Sequence, residues 1–329
     1  MREILKLDAN EGRPDPAPAA YAEFLDIEAA RRYPDPRPLE AALAEYHGVD
    51  ASRVVVSAGG DDIIERYSRI LVGPGDKVLG TDPAFESYAD SAQRAGGGYV
   101  SVPRAPEAPF PAADLARAAR ELKPAFVAFA CPDNPGGGVL GVEDLLTVAA
   151  AGAPILFDAT YSHFAGDQTV YRRALELEGC TVLGSFSKAY GLAGLRVGWA
   201  VTSSDMVPRI KKAGPPYPAA STSLAAALAA LKNDRSLKER VARVREERDS
   251  LRGLLLALGA RTWPSEANFV GAWVKDSVGL AAALAKTGIL IRSWPTRPER
   301  NGLVRITCPG DPAEFARLAD ALKSVKEYL

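Results

Sequence analysis

Histidine and cysteine are scarce. His47 and His163 are the only two histidines, and Cys131, Cys180 and Cys308 the only three cysteines, in 329 residues. A metal centre built on several histidines would consume nearly the whole supply. Three cysteines, odd in number and without a CxxC pair, supply neither a zinc site nor a disulfide framework, so a reducing cytoplasm is expected. Apolar runs are broken by Lys, Asp, Gly or Pro well short of the ~18 residues of a membrane span. The first residues, Met1–Gly12, lack the apolar centre and basic flank of a secretion signal. No charge of one sign prevails: 40 Lys+Arg face 41 Asp+Glu, a net charge of −1. That balance leaves no global field to hold nucleic acid or an anionic membrane. With 47% apolar and 25% charged residues the composition is that of a globular chain, and the length suggests about two domains. Chemistry must then be sought in Lys, Asp, Tyr, Ser and Arg.

From residue 37 helices and short apolar strands alternate. Leu39–His47 reads as a helix closed by Gly48. Strands are expected at Arg53–Ser57, Lys77–Gly80, Gly98–Val102, Ala125–Ala130, Pro154–Asp158, Thr181–Ser185 and Val197–Thr202. Helices fall between several of them, at Asp61–Leu71, Pro83–Ala95, Ala112–Leu122 and Val142–Ala151. Apolar runs without alternation, separated by helices, indicate a parallel sheet buried on both faces. A helical stretch over Thr222–Leu258 follows, broken near Asn233. Beyond it come strands at Asn268–Val274, Ile289–Ser293 and Val304–Thr307, and helices at Val278–Lys286 and Pro312–Tyr328. The expected division is an N-terminal arm (1–30) belonging to the small domain, a large doubly wound, mostly parallel α/β domain (31–207) and a small α+β domain (208–329).

Four local patterns carry chemistry. The strand Thr181–Ser185 delivers Lys188 directly after Ser185 and Ser187, with Arg196 eight residues on. A lysine among apolar neighbours and a second cation has a depressed pKa, and its amine then attacks carbonyls. Two hydroxyls and a guanidinium would hold a phosphate. Lys188 alone also fits a solvated strand-end lysine. Asp158 closes a strand, with Tyr161 following; a carboxylate there would keep a pyridine nitrogen protonated, although a helix N-cap is an equally plain use. Gly59, Gly60 and Asp61 separate a strand from a helix whose first N–H groups suit a phosphate. Asn134, in Pro132-Asp-Asn-Pro135, follows another strand, and its amide is in reach of a ring hydroxyl. A rival pattern, Gly136–Gly141, matches GxGxxG with Asp158 at the end of the next strand. It would make this a nicotinamide enzyme, but Pro132–Pro135 separates it from its strand.

Taken together the chain resembles the fold-type I enzymes that use pyridoxal 5'-phosphate (PLP), specifically the class I/II aminotransferases, and within them the histidinol-phosphate aminotransferase family. The resemblance is carried by Leu7-Asp-Ala-Asn-Glu11, Arg32-Tyr-Pro-Asp-Pro36, Val56-Ser-Ala-Gly-Gly-Asp-Asp-Ile-Ile64, Pro83-Ala-Phe-Glu-Ser-Tyr88 and Phe157-Asp-Ala-Thr-Tyr161. It continues in Ser185-Phe-Ser-Lys-Ala-Tyr-Gly-Leu-Ala-Gly-Leu-Arg196, Ala267-Asn-Phe-Val270 and Val304-Arg-Ile-Thr307. It implies that Lys188 forms an imine with the cofactor and shuttles a proton, Asp158 meets the ring nitrogen, and Tyr161 and Asn134 meet the ring oxygen. Phe85 would stack on the ring. Gly60, Asp61, Ser185, Ser187 and Arg196 would hold the phosphate, with Tyr33 reaching it from the neighbouring subunit of a homodimer. Arg305 would take the substrate carboxylate or its equivalent, near Asn10, Glu11, Asn268 and Arg292. The expected partners are amino-acid or amine donors and keto or aldehyde acceptors in a ping-pong transfer; a lyase or decarboxylase of the same fold is the alternative. The chain departs from the family at Pro14, where a substrate-touching tyrosine is usual, at Ala159 and at Phe85, which is usually tyrosine. Trp294 is the tryptophan expected to face substrate.

Overall fold

The computed structural model describes residues 4–14 and 30–329, so most of the expected arm lies outside the described residues. β1 (Leu5–Leu7) leads into the cavity and is followed, after residue 30, by α1 (Arg37–His47), β2 (Val54–Ser57) and α2 (Gly60–Leu71). Next come β3 (Lys77–Asp82), α3 (Ser87–Arg94), β4 (Gly98–Pro103), α4 (Ala112–Leu122), β5 (Phe126–Ala130) and α5 (Val142–Ala149). β6 (Ile155–Asp158), α6 (Thr169–Glu176), β7 (Cys180–Ser185), β8 (Gly198–Val201) and α7 (Met206–Lys212) complete the first sheet and its helices. The rest is α8 (Ser221–Lys232), α9 (Asp234–Ala257), β9 (Arg261–Thr262), β10 (Phe269–Trp273), α10 (Ser277–Lys286), β11 (Ile289–Ser293), β12 (Leu303–Thr307) and α11 (Pro312–Ser324).

Seven strands form one sheet in the order β2-β8-β7-β6-β5-β3-β4, with β8 alone antiparallel to its neighbours. β5, β6 and β7 are buried at every residue. Their side chains alternate between two apolar cores, one on each face: Phe126, Ala128, Leu156 and Leu183 on one, Val127, Phe129, Phe157 and Val182 on the other. That period-two split between two covered faces is why these runs read as continuously apolar. Because β2, β3, β5, β6 and β7 all point one way, their carboxyl ends share one edge, where open α/β sheets place their ligands.

The second sheet has the order β1-β11-β12-β10-β9. β1 pairs parallel with β11, through Leu5–Leu7 against Ile289–Ile291. A three-residue strand carries no usable periodicity; its partner nearly the whole chain away makes it one. The helix expected from Pro83 starts only at Ser87; Ala84, Phe85 and Glu86 form cavity wall, and Tyr88 is buried in the core. α7 spans the expected boundary between residues 207 and 208; Pro208 is tolerated because it lies in the helix's first turn. The expected break near Asn233 is present: its side chain accepts the N–H of Ser236 at 3.3 Å and starts α9. Among the described residues no helix is long and apolar enough to cross a membrane, no cluster of His, Cys, Asp and Glu suits a metal, and all three cysteines are free and buried.

Candidate active site

A cavity of about 490 Å³ opens between the two sheets at the shared strand edge. Its floor comes from the large sheet. Asp158, the last residue of β6, is buried; its Oδ2 accepts the hydroxyl of Tyr88 at 2.8 Å and its Oδ1 the N–H of Thr160 at 2.9 Å. Burial pushes this carboxyl's pKa up; those donors hold it back, and the charge of Asp61 adds to the rise. None of these groups is a cation, so the site favours a positively charged partner for Asp158.

Lys188 leaves the loop after β7, and its Nζ donates to the carbonyl of Ala9 at 2.9 Å. Burial first, then the nearby Arg305, lowers its pKa to about 8. The arm runs directly over this loop: a β-carbon on Gly12 would collide with the carbonyl oxygen of Lys188. Arg13 holds the arm there through Asp311, at 3.8 Å, and Glu314. Pro14 does not reach the cavity lining.

A polar corner lies where α2 begins. Gly59 has φ +98°, outside the range comfortable for a side chain, and a β-carbon there would stand 2.7 Å from Arg196. No side chain caps the helix at this point, which leaves first-turn N–H groups open. Gly60, Asp61, Ser185, Ser187 and Arg196 all line this part of the cavity. Arg196 is itself in the left-handed region, φ +52°, and reaches Asp61 at 3.4 Å.

The opposite wall comes from the small sheet. Arg305 on β12 is buried, and its pKa is lowered to about 10 by that burial. Its Nη1 donates to Asn134 Oδ1 and its Nη2 to the carbonyl of Asp8, both at 2.6 Å. Since guanidinium is donor-only, this contact assigns the orientation of the Asn134 amide and frees its NH₂. Tyr161 accepts from the Asn10 amide at 3.0 Å, leaving its own hydroxyl hydrogen free, and burial raises its pKa so that it stays protonated. Asn10 is fixed in turn by Thr307 and by Asn268, which donates to its carbonyl at 3.1 Å. Arg292 is the direct cross-strand neighbour of Arg305. Two cations side by side on a sheet repel unless an anion lies between them.

Fourteen of the expected site residues line this one cavity, Phe85 and Glu11 included, and Trp294 joins them. Asn268 stands one layer behind. Tyr33 does not line it: it is 78% exposed and stacks on Tyr217, centroids 4.4 Å apart. Sequence reasoning missed Tyr88 and Glu86, which were noted in a motif but given no partner, and Arg300, which sits in a segment without periodicity. The Gly136–Gly141 run is packed shut: a β-carbon on Gly137 would strike Ser265, and the carbonyl of Gly136 accepts the indole N–H of Trp263 at 2.7 Å. A dinucleotide has no room there.

Comparison with known proteins agrees. The profile described as aminotransferase class I and II matches residues 2–322. The chain belongs to that family. The aminotransferase is 35% identical over 351 residues to the histidinol-phosphate aminotransferase of Roseiflexus castenholzii, covering 99% of this chain and 90% of the relative. It is 33% identical over 328 residues to chloroplastic histidinol-phosphate aminotransferase 1 of Arabidopsis thaliana, covering 98% and 78%. Its fold superposes with TM-score 0.90 on the crystal structure of histidinol-phosphate aminotransferase from Sinorhizobium meliloti in complex with pyridoxal 5'-phosphate, at 26% identity, covering 99% and 91%. The cofactor of this PLP-dependent aminotransferase fits the residues present: a buried carboxylate lacking a cation, an amine of lowered pKa and an open helix start share one cavity.

Proposed function

We propose that the enzyme moves an amino group between an amino-acid or amine donor and a keto or aldehyde acceptor in two half-reactions at this single site, and that its amino substrate carries a compact anion beside the reacting carbon. A carboxylate meets that description; so does the phosphate named for the relatives' substrate, histidinol phosphate. The observation that carries the reading is the convergence of Lys188, Asp158 and Arg305 on one cavity.

When bound, pyridoxal phosphate supplies an aldehyde and a protonated ring that draws electrons from the substrate's α-carbon. The chain's own residues do the rest. Lys188, its pKa lowered to about 8, has an unprotonated fraction at neutral pH; its amine would tie the cofactor and would hold and return the α-proton. Asp158 would pair with the ring nitrogen and keep its proton in place. The freed NH₂ of Asn134 and the hydroxyl of Tyr161 would donate to the ring oxygen, and Phe85 would cover the ring face. Gly60, Asp61, Ser185, Ser187 and Arg196 receive the phosphate at the start of α2. Arg305, with Arg292 beside it, receives the substrate anion, and Asn10, Glu11 and Asn268 shape the surrounding wall.

Tyr33, exposed on its own subunit, serves the neighbour's phosphate in a homodimer. The partners are otherwise small molecules, neither nucleic acid nor membrane, and three free buried cysteines suit a reducing cytoplasm. The test is a donor screen on the purified holoenzyme with glutamate, histidinol phosphate and aromatic amino acids, followed by visible absorbance and product analysis. Keto or aldehyde product with recovery of the aminated cofactor is expected. Release of CO₂ instead would make the enzyme a decarboxylase and overturn the reading.

A further inference from the structure

The cavity mouth carries a charge cluster that the cofactor frame leaves unused. Arg292 and Arg300 set their guanidinium carbons 5.6 and 5.7 Å from the ring centroid of Trp294. Glu86 bridges them, with Oε2 3.6 Å from Arg292 and Oε1 3.7 Å from Arg300. All four side chains line the cavity. The members are held very differently. Arg300 is buried and anchored on Asp82 at 3.0 Å. Glu86 is 41% exposed, and neither of its pairings is short enough to be a hydrogen bond. Loose pairings of a partly exposed carboxylate contribute little to stability. Arg300 is therefore fixed by the fold, Arg292 is carried on β11 against Trp294, and the carboxylate between them is the part free to leave.

We propose that Glu86 is a placeholder anion and, with Arg300, determines specificity at the mouth. A substrate whose far end is a carboxylate or phosphate displaces Glu86 and takes its place between Arg292 and Arg300. A substrate with a neutral far end leaves Glu86 in position and packs on Trp294. One site thereby serves both substrates of a two-stage transfer without ever presenting two uncompensated guanidiniums. This inference rests on the functional reading above, with Arg305 holding the near anion.

The test uses the holoenzyme with two unreactive probes, glutarate and butyrate, measured by calorimetry. Glu86→Gln removes the competing charge and keeps the shape. Glutarate should bind roughly five- to tenfold tighter, while butyrate stays within about twofold. Arg300→Gln should weaken glutarate by roughly tenfold, and in the double variant the gain from Glu86→Gln should vanish, as for groups acting on one ligand. If Glu86→Gln leaves glutarate unchanged, weakens it or shifts both probes equally, the placeholder role is wrong. A wild-type holoenzyme that transfers no amino group counts against the functional reading; an active enzyme with an unaltered glutarate-to-butyrate ratio counts against the placeholder alone.

Discussion

The floor and the mouth of the cavity are built on opposite principles. On the floor, Asp158 and Lys188 are held by strand ends of the large sheet and find only neutral hydrogen-bonding groups as close partners. At the mouth, Arg292, Arg300, Glu86 and Asp82 satisfy one another. A group that is buried without a counter-ion is committed to one ligand, because nothing else compensates its desolvation. A group already paired can exchange its partner at little cost. The contrast matches the needs of a transaminase, whose cofactor stays while two substrates alternate.

Substitutions should separate the two regions by what they alter. The largest effect is expected for Lys188→Ala: kcat for amino transfer should fall roughly 10²–10⁴-fold, the contribution of a positioned acid–base group. Borohydride treatment followed by mass spectrometry should then find no cofactor fixed to the chain. Asp158→Asn comes next. Without a charged partner for the ring nitrogen, kcat should drop by about 10²-fold and the cofactor should be lost on dialysis, which its absorbance reports. Surviving turnover near the wild-type level would refute the committed floor.

Tyr88→Phe is a finer probe. Its hydroxyl lowers the pKa of Asp158, which burial raises. Removing it lets that pKa climb further, so the carboxylate is lost at higher pH. The acid limb of the kcat–pH profile should move up in pH, with kcat at its optimum reduced by about tenfold or less. A downward move would contradict the assigned donor. Arg292→Gln should be the mildest: KM for an acidic donor rises several-fold, as expected for a partly exposed ion pair, while cofactor retention stays at the wild-type level. A mouth variant that sheds cofactor would erase the distinction between the two regions.

The floor was far more legible in the sequence than the mouth, for a physical reason. Ser185, Ser187, Lys188 and Arg196 lie close together on one strand–loop, and Asp158 and Tyr161 on another, so local spacing exposes them. Glu86 and Arg300 are brought together from either side of more than half the chain, and nothing in the residues around Arg300 marks it. Tyr88 shows the same limit: its motif was visible, but its hydrogen bond to Asp158 spans two strand connections. Among the elements, β5, β6 and β7 were plain from their apolar runs, whereas β1 exists as a strand only because β11 offers it a ladder.

By itself the sequence determined the alternation that makes a two-faced parallel sheet, and it placed an amine and a carboxylate at the ends of two of its strands; both follow from short-range periodicity, which each segment carries alone. Tertiary structure decided which cation meets which anion, how the arm passes over Lys188, and that Arg305 and Arg292 stand shoulder to shoulder. Those relations depend on how strands and loops are set against one another, and register is a property of the assembled sheet rather than of any one strand.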